Sequence, residues 1–309
     1  MMLGEILASL AGVGFGVFQS MNRRAAFGID VLRATFIVLL VSALFLGFVS
    51  LLFEDLDLLW NAPLSSWVLF IVAGLIHFLL GWTLLNISQR RIGAARTGAL
   101  VGTAPLFATM IAAIMLGEWL KPMAVVGVMV VVIGVYFTTP KENKSIVSAN
   151  PSSEELLTPK GLRSALFGLA TALCWAVSPV FIRQALKGLP SPLLGVELGM
   201  IACTLGYGIL LWVQRKRFTD GAPSREAIIL LTIGGVISGA AIWARWAAID
   251  LTSVAIVTTL SLFSVIVVMI LSPIVVGGKQ EKPTTQAILG AIMIVAGSVM
   301  LVLFSGKHM

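Results

Sequence analysis

Apolar residues fall in ten long runs along this chain, separated by short polar stretches. The first half has runs at 4–21, 29–52, 65–86, 97–116 and 122–139, and the second at 162–183, 191–213, 226–247, 253–275 and 284–304. A helix needs about 20 predominantly apolar residues to cross the hydrocarbon layer. A membrane β-barrel would instead alternate polar with apolar residues in strands of about ten. Val125–Val135 and Val265–Leu271 are continuously apolar, which suits helices. The pattern predicts an all-α integral membrane protein with ten transmembrane helices. The first run has no basic residues before it and no small-residue cleavage site, so it reads as a span rather than a signal peptide. The one long polar stretch, KENKSIVSANPSSEELLTPK at 141–160, falls between the fifth and sixth spans and reads as a flexible linker.

Composition narrows the class further. Hydrophobic residues make up 58% of the chain and charged residues 11%, against about 25% charged in soluble domains. Mean hydropathy is +1.02. A soluble fold could not hide that much apolar surface, and a disordered chain would carry more charge. Cys174 and Cys203, the only cysteines, lie in apolar runs and build no disulfide scaffold. The net charge of +7 is no nucleic-acid footprint, because Lys and Arg sit mostly in connectors between spans. The expected surroundings are a lipid bilayer, that of the cell (inner or plasma) membrane.

Five spans, a linker and five spans invite a test for internal repetition. Glu118 is followed nine residues later by Gly127 and seven after that by Gly134; Glu281, Gly290 and Gly297 repeat the spacing. Upstream, RRIGAARTGALVGTAPLF lies over IDLTSVAIVTTLSLFSVI, with Ile92 matching Leu251. ALCWAVSPVFIRQALK in the sixth span is matched more weakly by GVGFGVFQSMNRRAAF in the first. The expected units are a first repeat at 1–139, a linker at 140–160 and a second repeat at 161–306.

These segments resemble the drug/metabolite transporter superfamily, in particular proteins built from two EamA-type repeats. Pro105, Gly117, Glu118 and Pro122 sit as the family pattern places them. The second copy departs: Ser264 replaces the proline, Gly-Glu becomes Gln280-Glu281, and the stretch between is four residues longer. That departure bears on the shape of the ninth span and its exit loop. The resemblance implies that spans 1–4 and 6–9 surround a path, with the fifth and tenth outside. Five spans per half is an odd number, so the halves sit in opposite orientations as inverted repeats. Connectors after spans 1, 3, 5, 7 and 9 carry 15 of the 21 Lys and Arg, and the opposite side carries four. The positive-inside rule therefore favours both termini outside, whereas the resemblance implies both inside.

Charged groups deep in a bilayer cost at least about 2.5–3.5 kcal/mol on insertion scales, so polar residues within spans are informative. His77, halfway along the third span, is the only histidine in a span. It suits a substrate carboxylate or a proton, or a structural bond to a neighbouring helix. Arg33, one turn after Asp30, suits either an anion anchor or a helix-end ion pair. Glu197 occupies the corresponding part of the seventh span, so a contact with Arg33 across the path is one expectation. The others for Glu197 are a proton-coupling acid and a structural pair. Arg245 lies near the exit of the eighth span, five residues before Asp250, as an interfacial charge or a path residue. Gln19 and Asn22 end the first span as helix glue or substrate donors. Trp175 and Trp243 are the better aromatic candidates for a substrate wall, ahead of Trp82 and Trp246. Trp60 and Trp119 flank spans as interfacial anchors. Gly117 is expected to end its helix, with Glu118 in a structural loop.

The expected function is a secondary transporter, a permease or exporter of a small metabolite or drug-like molecule. No nucleotide-binding G-x-x-x-x-G-K-[ST] motif appears, so proton coupling or exchange is the expected drive. No cofactor or metal is called for. An enzyme reading lacks an HExxH site, a Gly-x-Ser-x-Gly elbow and paired acidic motifs. A receptor or assembly-subunit reading lacks a substantial docking segment. Substrate, direction and oligomeric state are not legible.

Overall fold

The computed structural model describes residues 2–92, 94–138, 159–214, 222–276 and 284–305. Most of the expected linker, and Glu281 with it, lies outside these residues. Among the described residues nine helices are long and apolar enough to cross a membrane. They are Leu3–Ala25, Val31–Phe53, Leu64–Ile92, Arg96–Leu116, Ser164–Leu186, Pro192–Gln214, Arg225–Leu251, Val254–Val275 and Thr285–Phe304. The fifth span, Pro122–Thr138, is shorter at 17 residues, the lower limit of about 17 for a crossing. The chain is a multi-pass membrane protein, and among the described residues its elements are helices alone.

Several helices overrun their apolar runs. The third extends to Ile92 and the eighth to Leu251, because backbone hydrogen bonding continues into the interface where hydropathy has already fallen. Starts are set by side-chain caps. Asp30 accepts from the Leu32 N–H at 2.8 Å, Ser224 from Ala227 at 3.1 Å and Thr284 from Ala287 at 3.1 Å. Gly117 ends the fourth span with φ of 71°, a left-handed conformation that glycine adopts without a Cβ penalty.

The fourth and ninth spans are each broken in two. One break falls between Val101 and Ala104, the other between Leu260 and Phe263. The aligned repeats put these breaks at matching positions. The Ser264 substitution therefore leaves the ninth span's shape intact. A hydroxyl bonds back at each break: Thr103 donates to the Leu100 carbonyl at 2.6 Å and Ser261 to the Val257 carbonyl at 2.7 Å. Such side-chain bonds compete with the helix ladder.

Repeat partners run in opposite directions. In the fifth and tenth spans, Gly127 lies against Gly297 and Gly134 against Gly290. A Cβ on Gly127 would come 2.7 Å from the Gly297 carbonyl, and one on Gly290 2.5 Å from that of Gly134. The repeated glycines thus form one antiparallel seam, close enough that only glycine fits. The third and seventh spans, which are not repeat partners, run parallel instead, with Phe70 against Gly195, Gly74 against Gly199 and Leu79 against Gly206; a Cβ on Gly74 would lie 2.5 Å from the Gly199 Cα. The second and seventh spans are also antiparallel, with Phe36 beside Gly208 and Glu197 beside Gly47.

That direction overturns the Arg33–Glu197 contact. Arg33 lies 14 residues before Gly47, about 21 Å along the helix at 1.5 Å per residue. Equivalent positions in inverted repeats sit at opposite membrane faces. The face holding the start of the first span and the end of the tenth is the termini end; the other is the linker end.

Candidate functional site

The third and sixth helices lose regularity at the same depth. The third has a π-helical turn at Leu75–Leu80, close to the middle of the span. Such turns recur at functional positions because they free backbone groups and re-aim side chains. Pro179 sits inside the sixth helix, and its missing N–H leaves the Trp175 carbonyl without its usual helical donor.

Between these two irregular turns, His77 and Trp175 meet. Their rings stack at 5.6 Å and 18°. The Trp175 indole N–H donates to the His77 carbonyl at 3.1 Å, and His77 Nδ1 lies 2.7 Å from the Ser178 hydroxyl. Gly81 makes the approach feasible, since a Cβ there would sit 2.8 Å from Trp175 Nε1. The row continues through Phe78, edge-on to His77 at 4.7 Å and to Trp82 at 5.6 Å, and then Phe18, stacked on Trp82 at 6.1 Å. It joins the first, third and sixth spans, and so both repeats. Nearby, buried Tyr207 of the seventh span lies 3.1 Å from the Thr83 hydroxyl.

The other sequence-derived candidates scatter around this row. Arg245 lies within electrostatic reach of His77. It shares a helix face with Ala241, one turn away, which packs on Gly14 of the first span. Asn22 follows Phe18 by one turn on the same face, half-buried, whereas Gln19 is exposed on a different face. Glu197 is apart from the row, in the groove between second and seventh spans, with Oε2 sealed and unpartnered. Arg33 occupies the first turn of the second span at the linker end. Trp243 is 39% exposed on the stripe of Ile229, Ile233 and Val236, which turns it away from the row. Trp246 is buried and stacks on Phe70 at 5.7 Å. Among the described residues no cluster of three His, Cys, Asp or Glu side chains could hold a metal ion.

A second constellation seals the termini end. The Glu118 carboxylate accepts from the Val254 N–H at 2.9 Å and lies 3.4 Å from Arg183. Arg183 also donates to the Thr252 carbonyl, and the Thr252 hydroxyl lies 3.5 Å from Glu5. Beneath them Ala108, Ala112, Ala176 and Val254 pack as one buried cluster. Glu118 is thus more than a loop residue: it caps the ninth span and binds the sixth. Sequence reading missed Phe18, Phe78 and Ser178 as well. The Ser178-Pro179 step opposite the lone histidine was the available signal.

The comparisons with known proteins agree with this architecture. No curated protein matches the chain. One solved structure, titled only as a crystal structure of a protein, superposes with a TM-score of 0.76 at 16% identity. It covers 98% of this chain and 99% of its own, and at that identity it speaks for the fold alone. The EamA-like transporter family matches residues 2–139 and 162–303, once per repeat. With both halves matched, the chain belongs to the EamA-like transporter family.

Proposed function

We propose that this membrane transporter is a secondary carrier of a small metabolite or drug-like molecule, working by alternating access of its two inverted repeats. The observation that carries this reading is the seal at the termini end. Its carboxylates, Glu118 and Glu5, belong to the first repeat, and their partners Arg183, Val254 and Thr252 belong to the second. The repeats can part there without breaking a bond inside either one. The ion-paired and hydrogen-bonded groups released are polar and are rehydrated on opening. The broken fourth and ninth spans supply hinges at matching places, and discontinuous helices of this kind flank the sites of many carriers.

The aromatic row from Trp175 to Phe18 is the proposed substrate wall, with Asn22 and Arg245 as its polar contacts. His77 is the proposed coupling or substrate group, with Glu197 as a second acid outside the row. The excess of Lys and Arg at the linker end supports a cytoplasmic linker end.

The test is uptake by proteoliposomes. Vesicles holding the purified chain are incubated with a defined metabolite mixture, and their contents are read by mass spectrometry against protein-free vesicles. At least one compound should accumulate, and Trp175→Ala should abolish its entry while leaving the protein folded. Entry of no compound into vesicles with folded, inserted protein would refute the reading. Turnover of a compound in detergent, with no vesicle, would favour an enzyme instead.

A further inference from the structure

Among the described residues, most arginines near the span ends have partners. Arg24 meets Glu226 at 2.9 Å, Arg23 donates to Ser272 at 3.0 Å and Arg183 pairs with Glu118. Arg90 lies 3.8 Å from Asp30, and Arg91 sits over the Phe167 ring at 4.6 Å. Arg245 differs from these in lying deeper within its helix. Among the described residues no carboxylate, carbonyl or hydroxyl holds its guanidinium, and none of its nitrogens is sealed from solvent.

Its surroundings rule out a simple surface charge. Arg245 lies six residues inside the eighth helix, flanked by buried Ala241, Ile242, Ala244, Trp246, Ala248 and Ile249. The same helix face packs on Gly14 of the first span, and His77 feels its charge. A charge at such depth normally faces a partner or a water-filled path. A planar guanidinium with free donors matches a carboxylate or other oxyanion in two parallel bonds. Within its electrostatic reach is His77, stacked on Trp175.

We propose that the transported class is an organic anion with a flat apolar body, its acidic group on Arg245 and its body along His77 and Trp175. This deepens the transport reading and rests on it. Arg245 is the missing half of an ion pair that the substrate completes. The Glu118 seal then lies between the bound anion and the termini end, so the acid approaches from the linker end.

Thermal melting of the purified full chain in low-salt detergent buffer tests the proposal. The probes share one body and differ in charge: 2-naphthoate, neutral 2-naphthamide and cationic 2-naphthylmethylammonium. The acid should raise the melting temperature and the other two should not. Its apparent affinity should fall about 30-fold or more in Arg245→Gln and less in Arg245→Lys. The proposal is overturned if the amide or amine stabilises as well as the acid, or if the acid has no effect up to its solubility. It is also overturned if its effect survives in Arg245→Gln, or if chloride alone reproduces it. The charge series on the unaltered chain remains decisive if Arg245→Gln does not fold. The uptake assay separates the two readings. Entry of amines or neutral compounds but not acids sinks the anion class and leaves the carrier. Acid binding at Arg245 with no entry of any compound sinks the carrier and leaves the site.

Discussion

Replacing Glu118 by alanine should open the termini end. The substitution removes the acceptor of the Val254 N–H and the partner of Arg183 in one step. Breaking a fully buried pair costs about 3–5 kcal/mol, because the surviving charge is left uncompensated. The Arg183 side chain is 26% exposed and that of Glu118 13%, so water recovers part of this and about 2–3 kcal/mol remains. The loss falls only on the state in which the seal is made. The ratio of sealed to open protein should therefore drop about 30- to 150-fold, at tenfold per 1.4 kcal/mol. A cysteine at Ala176, buried beneath the seal, reports on this once Cys174 and Cys203 are replaced. In vesicles of one orientation, an impermeant maleimide added at the termini end should label Ala176→Cys at least about tenfold faster with Glu118→Ala. Glu118→Gln keeps an acceptor for the Val254 N–H and should fall between. An unchanged labelling rate in Glu118→Ala would refute the claim that this pair holds the end shut.

Other consequences are as specific. Gly127→Leu would force a side chain into the Gly297 carbonyl, 2.7 Å from the nearest Cβ position; melting should show about 1–3 kcal/mol of lost stability, with the Ala176→Cys labelling rate unchanged. Gly81→Val drives a side chain into the Trp175 indole, 2.8 Å away, so uptake should be lost while the helix content seen by circular dichroism stays the same. Ser178→Ala leaves His77 Nδ1 without its hydroxyl partner, and a buried unsatisfied group costs about 1–3 kcal/mol, readable as a lower melting temperature. A cysteine at exposed Lys121 should be labelled from outside intact cells, and labelling only after permeabilisation would reverse the assigned orientation.

The spans were legible because crossing a bilayer demands apolar length and nothing subtler. Their ends were not, since helical hydrogen bonding runs past Arg90 and Asp250 into the interface where hydropathy is silent. Repeat spacing foretold the glycine seam's residues but not their reciprocal contacts. The matching breaks were not legible: Pro105 was read only as part of the family pattern, and the hydroxyl back-bonds of Thr103 and Ser261 at the breaks occur in unbroken helices too. In the site, His77 and Trp175 stood out as rare residues at depth. Phe18 and Phe78 did not, because phenylalanine also faces lipid, as Phe48 does at 62% exposure. Glu118 was underread because Val254 lies 136 residues away in sequence. The misplaced Arg33–Glu197 contact has a plain cause: inversion sends equivalent positions to opposite faces.

Alternating access itself is tested most directly by distances between the repeats at both ends. Spin labels on Lys121 and Asp250 report the termini end, and labels on Gln89 and Arg225 report the linker end; all four positions are exposed. Pulsed dipolar spectroscopy on each pair in lipid, with and without Glu118→Ala, reads the populations. The account predicts that Glu118→Ala lengthens the first distance and shortens the second. One narrow distribution at each end, unmoved by the substitution, would contradict it.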